Sequence, residues 1–261
     1  MRAEECLQAS DPQGALEALQ EQVRAKPADP DLRVFLFQLL AVTGQWQRAQ
    51  TQLELVGEMQ DKALAMVRVY QEVMNSEKHR QAVFAGESRP LVLGEPAQWM
   101  ANLIEANAAF GSGDFERFAK LNAQALEEAP ARSGRLNDTP FEWLADADQR
   151  LGPVFEMIFN GHYYWVPQEN VVKIEIDEPE DLRDLIWAPA QVTWSNGGQN
   201  VVMIPSRYPR LAGASGADLL ARHTDWVGLD GDCFEGMGQR MWVTEEADIP
   251  ALQVRSIEFD A

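Results

Sequence analysis

The sequence predicts an α+β fold, in which a helical first part is followed by a mostly antiparallel β part. Two observations carry this prediction. Apolar residues recur with helical spacing up to about residue 130, and short alternating segments separated by tight turns follow from Val154 onward. We therefore expect two domains, residues 1–130 and residues 138–261, each with its own core.

The first part contains apolar stripes that have the spacing of amphipathic helices. These stripes lie within Leu32–Leu40, Ala63–Met74 and Leu103–Phe110. Glu77–Glu95 contains one proline and two glycines with mixed polarity, which favours a long loop that interrupts the helices.

The helices show signs of an internal repeat. Ala15 recurs as Ala49, 34 residues later, and Gly44-Gln45-Trp46 recurs in related form as Gly113-Asp114-Phe115. A period of 34 residues with a small residue at the turn is typical of tetratricopeptide (TPR) repeats. We therefore expect a TPR-like stack of helical hairpins, which either forms a concave face for a peptide or helix or serves only as a scaffold.

The second part opens with Thr139-Pro140-Phe141-Glu142, which matches the start of a helix: a threonine cap, proline at the first helical position and an acidic residue three after the cap. Residues 131–135 are expected to link the domains. Further helices are predicted for residues 178–185 and 216–223.

Strands separated by turn signals make up the rest of the second part. Asn160-Gly161 and Asn196-Gly197-Gly198 are hairpin signals. Strands are predicted at 154–159, 162–166, 171–176, 191–195, 200–204, 240–243 and 254–259. Such a succession predicts an antiparallel sheet, which we expect to form a small, partly closed barrel.

Aromatic residues are concentrated in this β part, and most of them are expected to fill its core. The run from Gly161 to Pro167 places two tyrosines and a tryptophan in one strand. The alternative is that some rings form an exposed docking patch, because interface hot spots favour Trp and Tyr. The candidate partner-binding residues are Tyr163, Tyr164, Trp165, Trp187, Trp194 and Tyr208.

One group of polar residues could carry chemistry, namely Asp218, His223, Asp225, Asp230, Asp232 and Cys233. Carboxylates, an imidazole and a thiolate can bind a metal, and a cysteine with a histidine can form a nucleophile–base pair. Their spacing matches no zinc signature, and Asp230-Gly231-Asp232 is typical of a turn. A metal-assisted hydrolase that uses His223, Asp225 and Cys233 is therefore the alternative, and we predict no catalytic, cofactor-binding or metal-binding residue.

Net charge and composition limit which partners and which cellular location we expect. A net charge of −19 without a segregated basic patch disfavours nucleic acid. The charge serves either solubility alone or a docking surface for a basic partner segment. The chain has no apolar run of about 20 residues and no secretion signal at its N-terminus, so we expect no membrane segment. Two distant cysteines fit the reducing cytoplasm of a bacterium.

Several motifs together resemble the ImpE family, also called TagJ or SciE-type. They are Phe141–Asp148, Arg150–Pro153, Gly161–Pro167, Leu182–Leu185, Pro189–Gln191, Asn196–Gly198, Ile204–Pro209 and Gly238–Arg240. The resemblance extends over essentially the whole chain. It is specific from Phe141 to Pro209 and loose in the helical part.

This resemblance implies a cytoplasmic accessory protein of the bacterial type VI secretion system. Members of the family are similar to adaptors that bind the N-terminal helix of the small contractile-sheath subunit, and they are linked to the sheath-recycling AAA+ ATPase, ClpV. The resemblance brings no catalytic residues with it. A general peptide-binding TPR scaffold outside secretion is the remaining alternative.

Overall fold

The computed structural model describes residues 2–260 of the protein. Their α-helices are α1 (Ala3–Gln8), α2 (Pro12–Ala25), α3 (Pro30–Val42), α4 (Trp46–Met59), α5 (Leu64–Phe84), α6 (Gln98–Gly111), α7 (Phe115–Glu128) and α8 (Gly216–Leu219). Helix α7 ends at Glu128, and the next strand begins at Gly134. The helices therefore end close to the segment predicted to link the domains, but the strands begin earlier than Val154, where the sequence predicts them; the division into two domains stays a prediction.

The strands of these residues are β1 (Leu91–Val92), β2 (Gly134–Leu136), β3 (Thr139–Phe141), β4 (Leu144–Asp146), β5 (Val154–Phe159), β6 (His162–Pro167), β7 (Val171–Ile176), β8 (Trp187–Trp194), β9 (Gln199–Pro205), β10 (Thr224–Gly228), β11 (Phe234–Gly238), β12 (Met241–Thr244), β13 (Asp248–Pro250) and β14 (Ser256–Phe259). In the part of the chain that is described, one large sheet has the order β1-β6-β5-β9-β8-β7-β14-β2-β3, and β10-β11 and β13-β12-β4 form two small ones. Every pair is antiparallel except β1 with β6, so the predicted α+β class with a mostly antiparallel sheet is confirmed.

Three helix pairs share one turn geometry. Ser10, Gly44 and Gly113 have φ values of 58°, 72° and 79°, the left-handed conformation that often ends a helix. After each of them, the next residue donates its backbone N–H to the carbonyl oxygen five residues earlier, at 2.8–2.9 Å. The following helix then begins at once. These turns recur at the spacing read from the sequence, and the TPR-like helical hairpins are confirmed.

The loop predicted for Glu77–Glu95 is wrong in its first part, because α5 continues to Phe84. Glu77 and Arg80 make this stretch polar, but both side chains are buried and paired with each other. Their charges are satisfied inside the fold, so the helix does not need to end there. The remainder of the predicted loop contains β1, which adds a short parallel strand beside β6.

Both predicted hairpins are confirmed. Asn160 and Gly161 have φ values of 50° and 73°, as a two-residue turn with two left-handed positions requires, and Phe159 lies opposite His162. The second turn joins β8 to β9 around Gly197, whose φ is 81°. These turns fix the register of the central strands of the sheet.

The helix predicted to begin at Thr139-Pro140-Phe141-Glu142 is wrong, since strands β3 and β4 occupy this stretch. Strand β3 is an edge strand with a neighbour on one side only. A proline, which lacks a backbone N–H, therefore loses no hydrogen bond on the open side of the strand. Phe141 packs edge-on against Phe259, with ring centroids 5.8 Å apart. Burial of this ring in the sheet outweighs the local helix-start signal.

The large sheet curls strongly but stays open, so the small barrel expected from the sequence is not closed. Phe155 on β5 and Phe259 on β14 are four strands apart, roughly 19 Å in a flat sheet. Their ring centroids are nevertheless only 6.1 Å apart, and Trp242 packs against Phe155 at 5.1 Å. Among residues 2–260 the two edge strands, β1 and β3, do not pair with each other. They are only two and three residues long, so they have few backbone groups that could hydrogen-bond to another strand.

Two further predictions are corrected in extent. The helix expected at 178–185 is reduced to a 3-10 turn at Leu182–Leu185, and the one expected at 216–223 ends at Leu219. The hairpin of β10 and β11 was not predicted, although its connecting turn, Asp230-Gly231-Asp232, is a turn as expected.

The large sheet has two different faces. On β5, Val154, Glu156 and Ile158 point towards the helices, and the alternate residues point into the curled interior. We call the first the helix-side face. Helix α5 contacts β5 and β6 on this face. Within the described residues, no helix is sufficiently long and apolar to span a membrane.

Candidate partner-binding groove

The rings proposed for partner binding are mostly inside the protein. Tyr163, Trp165, Trp187, Trp194 and Tyr208 are buried, and Tyr164 is half-buried, stacked on Phe159 with centroids 4.4 Å apart. The prediction of an exposed patch made of these rings is therefore corrected, because five of them fill the core. A partner contact of Tyr164 stays a prediction.

Trp187 shows what these rings do instead. It lies on the helix-side face against Trp46 and Tyr70, with ring centroids 5.7 and 6.3 Å away. Its Nε1–H donates to the buried carboxylate of Glu77 on α5, at 3.1 Å. The tryptophan thus joins the sheet to helices α4 and α5.

Arg207 closes the same interface from the other side. Its guanidinium donates to the carbonyl oxygens of Val42 at 2.8 Å and Ala41 at 3.4 Å, at the C-terminal end of α3. Those carbonyls lack partners inside the helix, and a cation there also suits the helix dipole. Faces of α3, α4 and α5 that a repeat stack could offer to a partner are thus covered by the chain's own sheet.

A buried charge network lies at the centre of this interface. Arg80 of α5 donates to the two carboxylate oxygens of Glu156 on β5, at 2.7 and 3.1 Å, and to Glu77 at 3.0 Å. Glu156 also pairs with Arg240 and accepts a hydrogen bond from the hydroxyl of Tyr163. All five side chains are buried, so each charge depends on its partners in the network.

The network continues towards β4. Arg240 pairs with Asp146 as well as with Glu156, and its Nε donates to the carbonyl oxygen of Pro205 at 2.8 Å. Asp146 also accepts from the hydroxyl of Tyr208, at 3.1 Å. The network therefore ties α5, β4, β5 and the segment after β11 to one another.

The pKa values follow from this arrangement. Burial alone would raise the pKa of Glu156, but the charges of Arg80 and Arg240 outweigh burial and lower that pKa to about 2. Burial raises the pKa of Asp146 to about 6, and the charge of Arg240 opposes this rise. Glu156, held by two arginines, is the firmly ionised carboxylate of the network.

Sequence reasoning missed this network, although one signal was present. Glu156 is the single charged residue of the otherwise apolar strand Val154–Phe159. A lone carboxylate in such a strand indicates a buried cationic partner. Asp146, Arg207 and Arg240 lie within the motifs that carry the family resemblance, so those polar positions serve the fold.

The residues of the alternative hydrolase hypothesis do not come together. Cys233 lies in the turn of the β10–β11 hairpin, and His223 lies at its open end, roughly 20 Å away along the strands. His223 instead contacts Asp218, with Nδ1 3.2 Å from the carboxylate. Cys233 is buried beside Phe110 and Phe118, and burial raises the pKa of its thiol. Residues 2–260 hold no group of three or more His, Cys, Asp or Glu side chains placed to share a metal ion.

One groove on the helix-side face remains open. Strand β9 extends beyond the cover of α5, so Val201 is 72% exposed although it points to the same side as the buried face of the neighbouring strands. Across the groove, Val69 of α5 is 41% exposed. Between them lies a cavity of about 200 Å³, with Ile158 and Met203 among its lining residues. We call this cavity and its two valines the α5 groove.

The groove has acidic surroundings. Glu72 of α5 lines it directly. Across the sheet, Val201 pairs with Gln191, which pairs with the exposed Glu175. The chain then continues through Asp177, whose N–H donates to the carbonyl oxygen of Pro189 at 3.0 Å. Between residues 175 and 184 the sequence has six carboxylates and one arginine, so this side of the groove is negative.

Comparisons with known proteins agree with this architecture. Residues 138–258 match the family model described as ImpE protein, and residues 7–68 match a tetratricopeptide-repeat model. Over 261 residues the chain is 45% identical to the type VI secretion system accessory component TagJ of Pseudomonas aeruginosa, covering 100% of this chain and 92% of that protein. It is also similar to the crystal structure of protein VPA1032 from Vibrio parahaemolyticus, at 26% identity and a TM-score of 0.91, covering 99% and 97% of the two chains.

Proposed function

The chain belongs to the ImpE family, and from this premise we propose that it is an accessory component of a bacterial type VI secretion system that works as a non-enzymatic adaptor. Its TagJ relative carries the name of such a component. The observation that carries the adaptor role is the α5 groove, an open site lined mainly by apolar side chains.

The partner we propose for this groove is the N-terminal helix of the small contractile-sheath subunit. An amphipathic helix is about 10 Å wide, and its apolar stripe can rest on Val69 and Val201 while its polar face stays in water. The acidic flank from Glu175 to Asp184 favours basic residues beside that stripe. The sheath-recycling AAA+ ATPase, ClpV, is the second proposed partner, and its link to this chain rests on the family resemblance alone.

We expect Val201→Asp to weaken binding of the sheath subunit by about tenfold or more, because a charge would enter the apolar contact and lose its water. Val201 is exposed, so the variant should fold normally. The measurement is calorimetric titration of the purified chain with the full subunit and with the subunit lacking its first helix.

The matched control is Val172→Asp, an exposed valine on β7, outside the groove. It should leave the affinity within about twofold, since surface positions away from a contact contribute little. Equal binding of the subunit with and without its first helix would rule out that helix as the partner. If Val201→Asp binds the subunit with unchanged affinity, and this binding still requires the first helix, the α5 groove is not the site that binds the helix.

A further inference from the structure

The β10–β11 hairpin carries a second exposed apolar surface. Trp226 is 38% exposed and Phe234 is 46% exposed. Trp226 lies opposite Gly236, and Phe234 lies opposite Gly228, so each ring faces a position that has no side chain. Both rings line a cavity of about 370 Å³ together with Ala147 and Gln149. None of these residues lines the α5 groove.

The position of Trp226 is fixed by the side chain on which its ring packs. Its ring packs on Tyr208, with centroids 5.4 Å apart. The hydroxyl of Tyr208 donates to Asp146 and accepts from the N–H of Met241, at 3.1 Å each. Gly236 makes room for the Tyr208 ring, because any side chain there would overlap it. The indole is thus held by the buried network before any partner arrives, which lowers the entropy cost of binding.

The hairpin is also strongly acidic. Residues 223–239 contain four carboxylates and no lysine or arginine. Glu235 is already paired with Arg150 and Arg210. Asp225, Asp230 and Asp232 are exposed, and within residues 2–260 none of the three forms an ion pair. An exposed indole on an acidic hairpin is suited to a cationic side chain, which gains attraction to the ring and longer-range attraction to the carboxylates.

We propose that this hairpin is a second docking surface, which takes a basic peptide segment. A lysine or arginine of the segment stacks on Trp226, the three aspartates of the hairpin attract the segment, and a neighbouring apolar side chain enters the cavity beside Phe234. The negative charge of the hairpin excludes nucleic acid and anionic lipid as occupants. With the α5 groove elsewhere, the chain holds two polypeptides at separate sites, as a bridging adaptor must.

The test uses two labelled synthetic peptides of equal length, one alternating Arg and Leu and the other alternating Glu and Leu, titrated into the full chain by fluorescence anisotropy. We expect the basic peptide to bind and the acidic one to fail. Trp226→Ala combined with Phe234→Ala should weaken binding by about tenfold or more, and Trp226→Phe should keep part of it. Trp143→Ala, at an exposed tryptophan elsewhere, is the matched control and should bind as the unchanged chain does.

A second pair of variants separates a built site from general attraction to an acidic protein. Asp225→Asn, Asp230→Asn and Asp232→Asn together should weaken binding and reduce its salt dependence. Glu17→Gln, Glu21→Gln and Glu54→Gln remove the same charge from exposed positions on α2 and α4 and should change neither. Equal loss in both triple variants, or unchanged binding without the two rings, would overturn the proposal. Val201→Asp should leave this binding intact, which separates it from the fate of the α5 groove.

Discussion

Glu156→Gln is expected to lower the free energy of unfolding by about 3–5 kcal/mol, although the two side chains have nearly the same shape. The substitution leaves Arg80 and Arg240 buried without their shared carboxylate. Removing one member of a buried ion pair costs far more than the pair itself contributes, because the remaining charges cannot reach water. Equilibrium denaturation in urea measures the loss.

Glu175→Gln is the matched control for this prediction. Glu175 pairs with Lys173 at 2.8 Å on the exposed part of the same sheet. Exposed pairs typically contribute less than about 1 kcal/mol, so the control should change stability little. A loss in Glu156→Gln as small as that of the control would show that the buried network does not hold the helices to the sheet.

The pH dependence gives an independent readout. The pKa of Glu156 is lowered from 4.5 to about 2 in the folded chain, so its stabilising contribution is complete above the unfolded pKa and is lost as the pH falls towards the folded one. Glutamine does not titrate. The difference in stability between the original chain and Glu156→Gln should therefore shrink as the pH falls from about 5 to about 3, whereas a purely steric effect would stay constant.

Trp187→Ala should cost a further large amount, about 3–5 kcal/mol, as is usual when a fully buried tryptophan is truncated. The indole fills the space between Trp46 and Tyr70, and its N–H satisfies Glu77. The variant opens a cavity and leaves a buried carboxylate oxygen short of a donor. Thermal and chemical denaturation measure the effect.

Two control variants separate the causes. Trp187→Phe keeps a ring but removes the N–H, so it should cost about 1–3 kcal/mol. Trp143→Ala, at a site that is 40% exposed, should stay within about 1 kcal/mol. A Trp187→Ala chain that unfolds like the original but loses its partner would restore the sequence-based hypothesis that this ring belongs to a docking surface.

The sequence predicted best the features that depend on neighbouring residues alone. Asn160-Gly161 needs two left-handed residues in succession, and this pair adopts them at low cost, so the hairpin and its register follow from the sequence. The repeat was readable from Ala15 and Ala49, 34 residues apart, and from the turns at Gly44 and Gly113, 69 residues apart; in the structure both glycines end their helices in the same left-handed conformation.

The features that depend on distant partners could not be predicted. Thr139-Pro140-Phe141-Glu142 has the local pattern of a helix start, but pairing with β2 and the contact with Phe259 decide for a strand. Arg80 lies in a stretch that the sequence predicts as a polar loop, and only the approach of Glu156, 76 residues later, makes its burial favourable. The α5 groove likewise exists because α5 does not cover the part of the sheet that contains Val201. No local sequence pattern predicts how far the helix covers the sheet.

The cover of α3, α4 and α5 by the sheet has a practical consequence for anyone who dissects this protein. A fragment that stops near residue 130 exposes Trp46 and Tyr70. It also leaves the charged side chains of Glu77 and Arg80 without their partners in the sheet. Used as bait in an interaction screen, such a fragment would expose an apolar surface that the whole chain keeps buried, and it would bind other proteins non-specifically. Screens should use the whole chain with single substitutions at Val201 or Trp226.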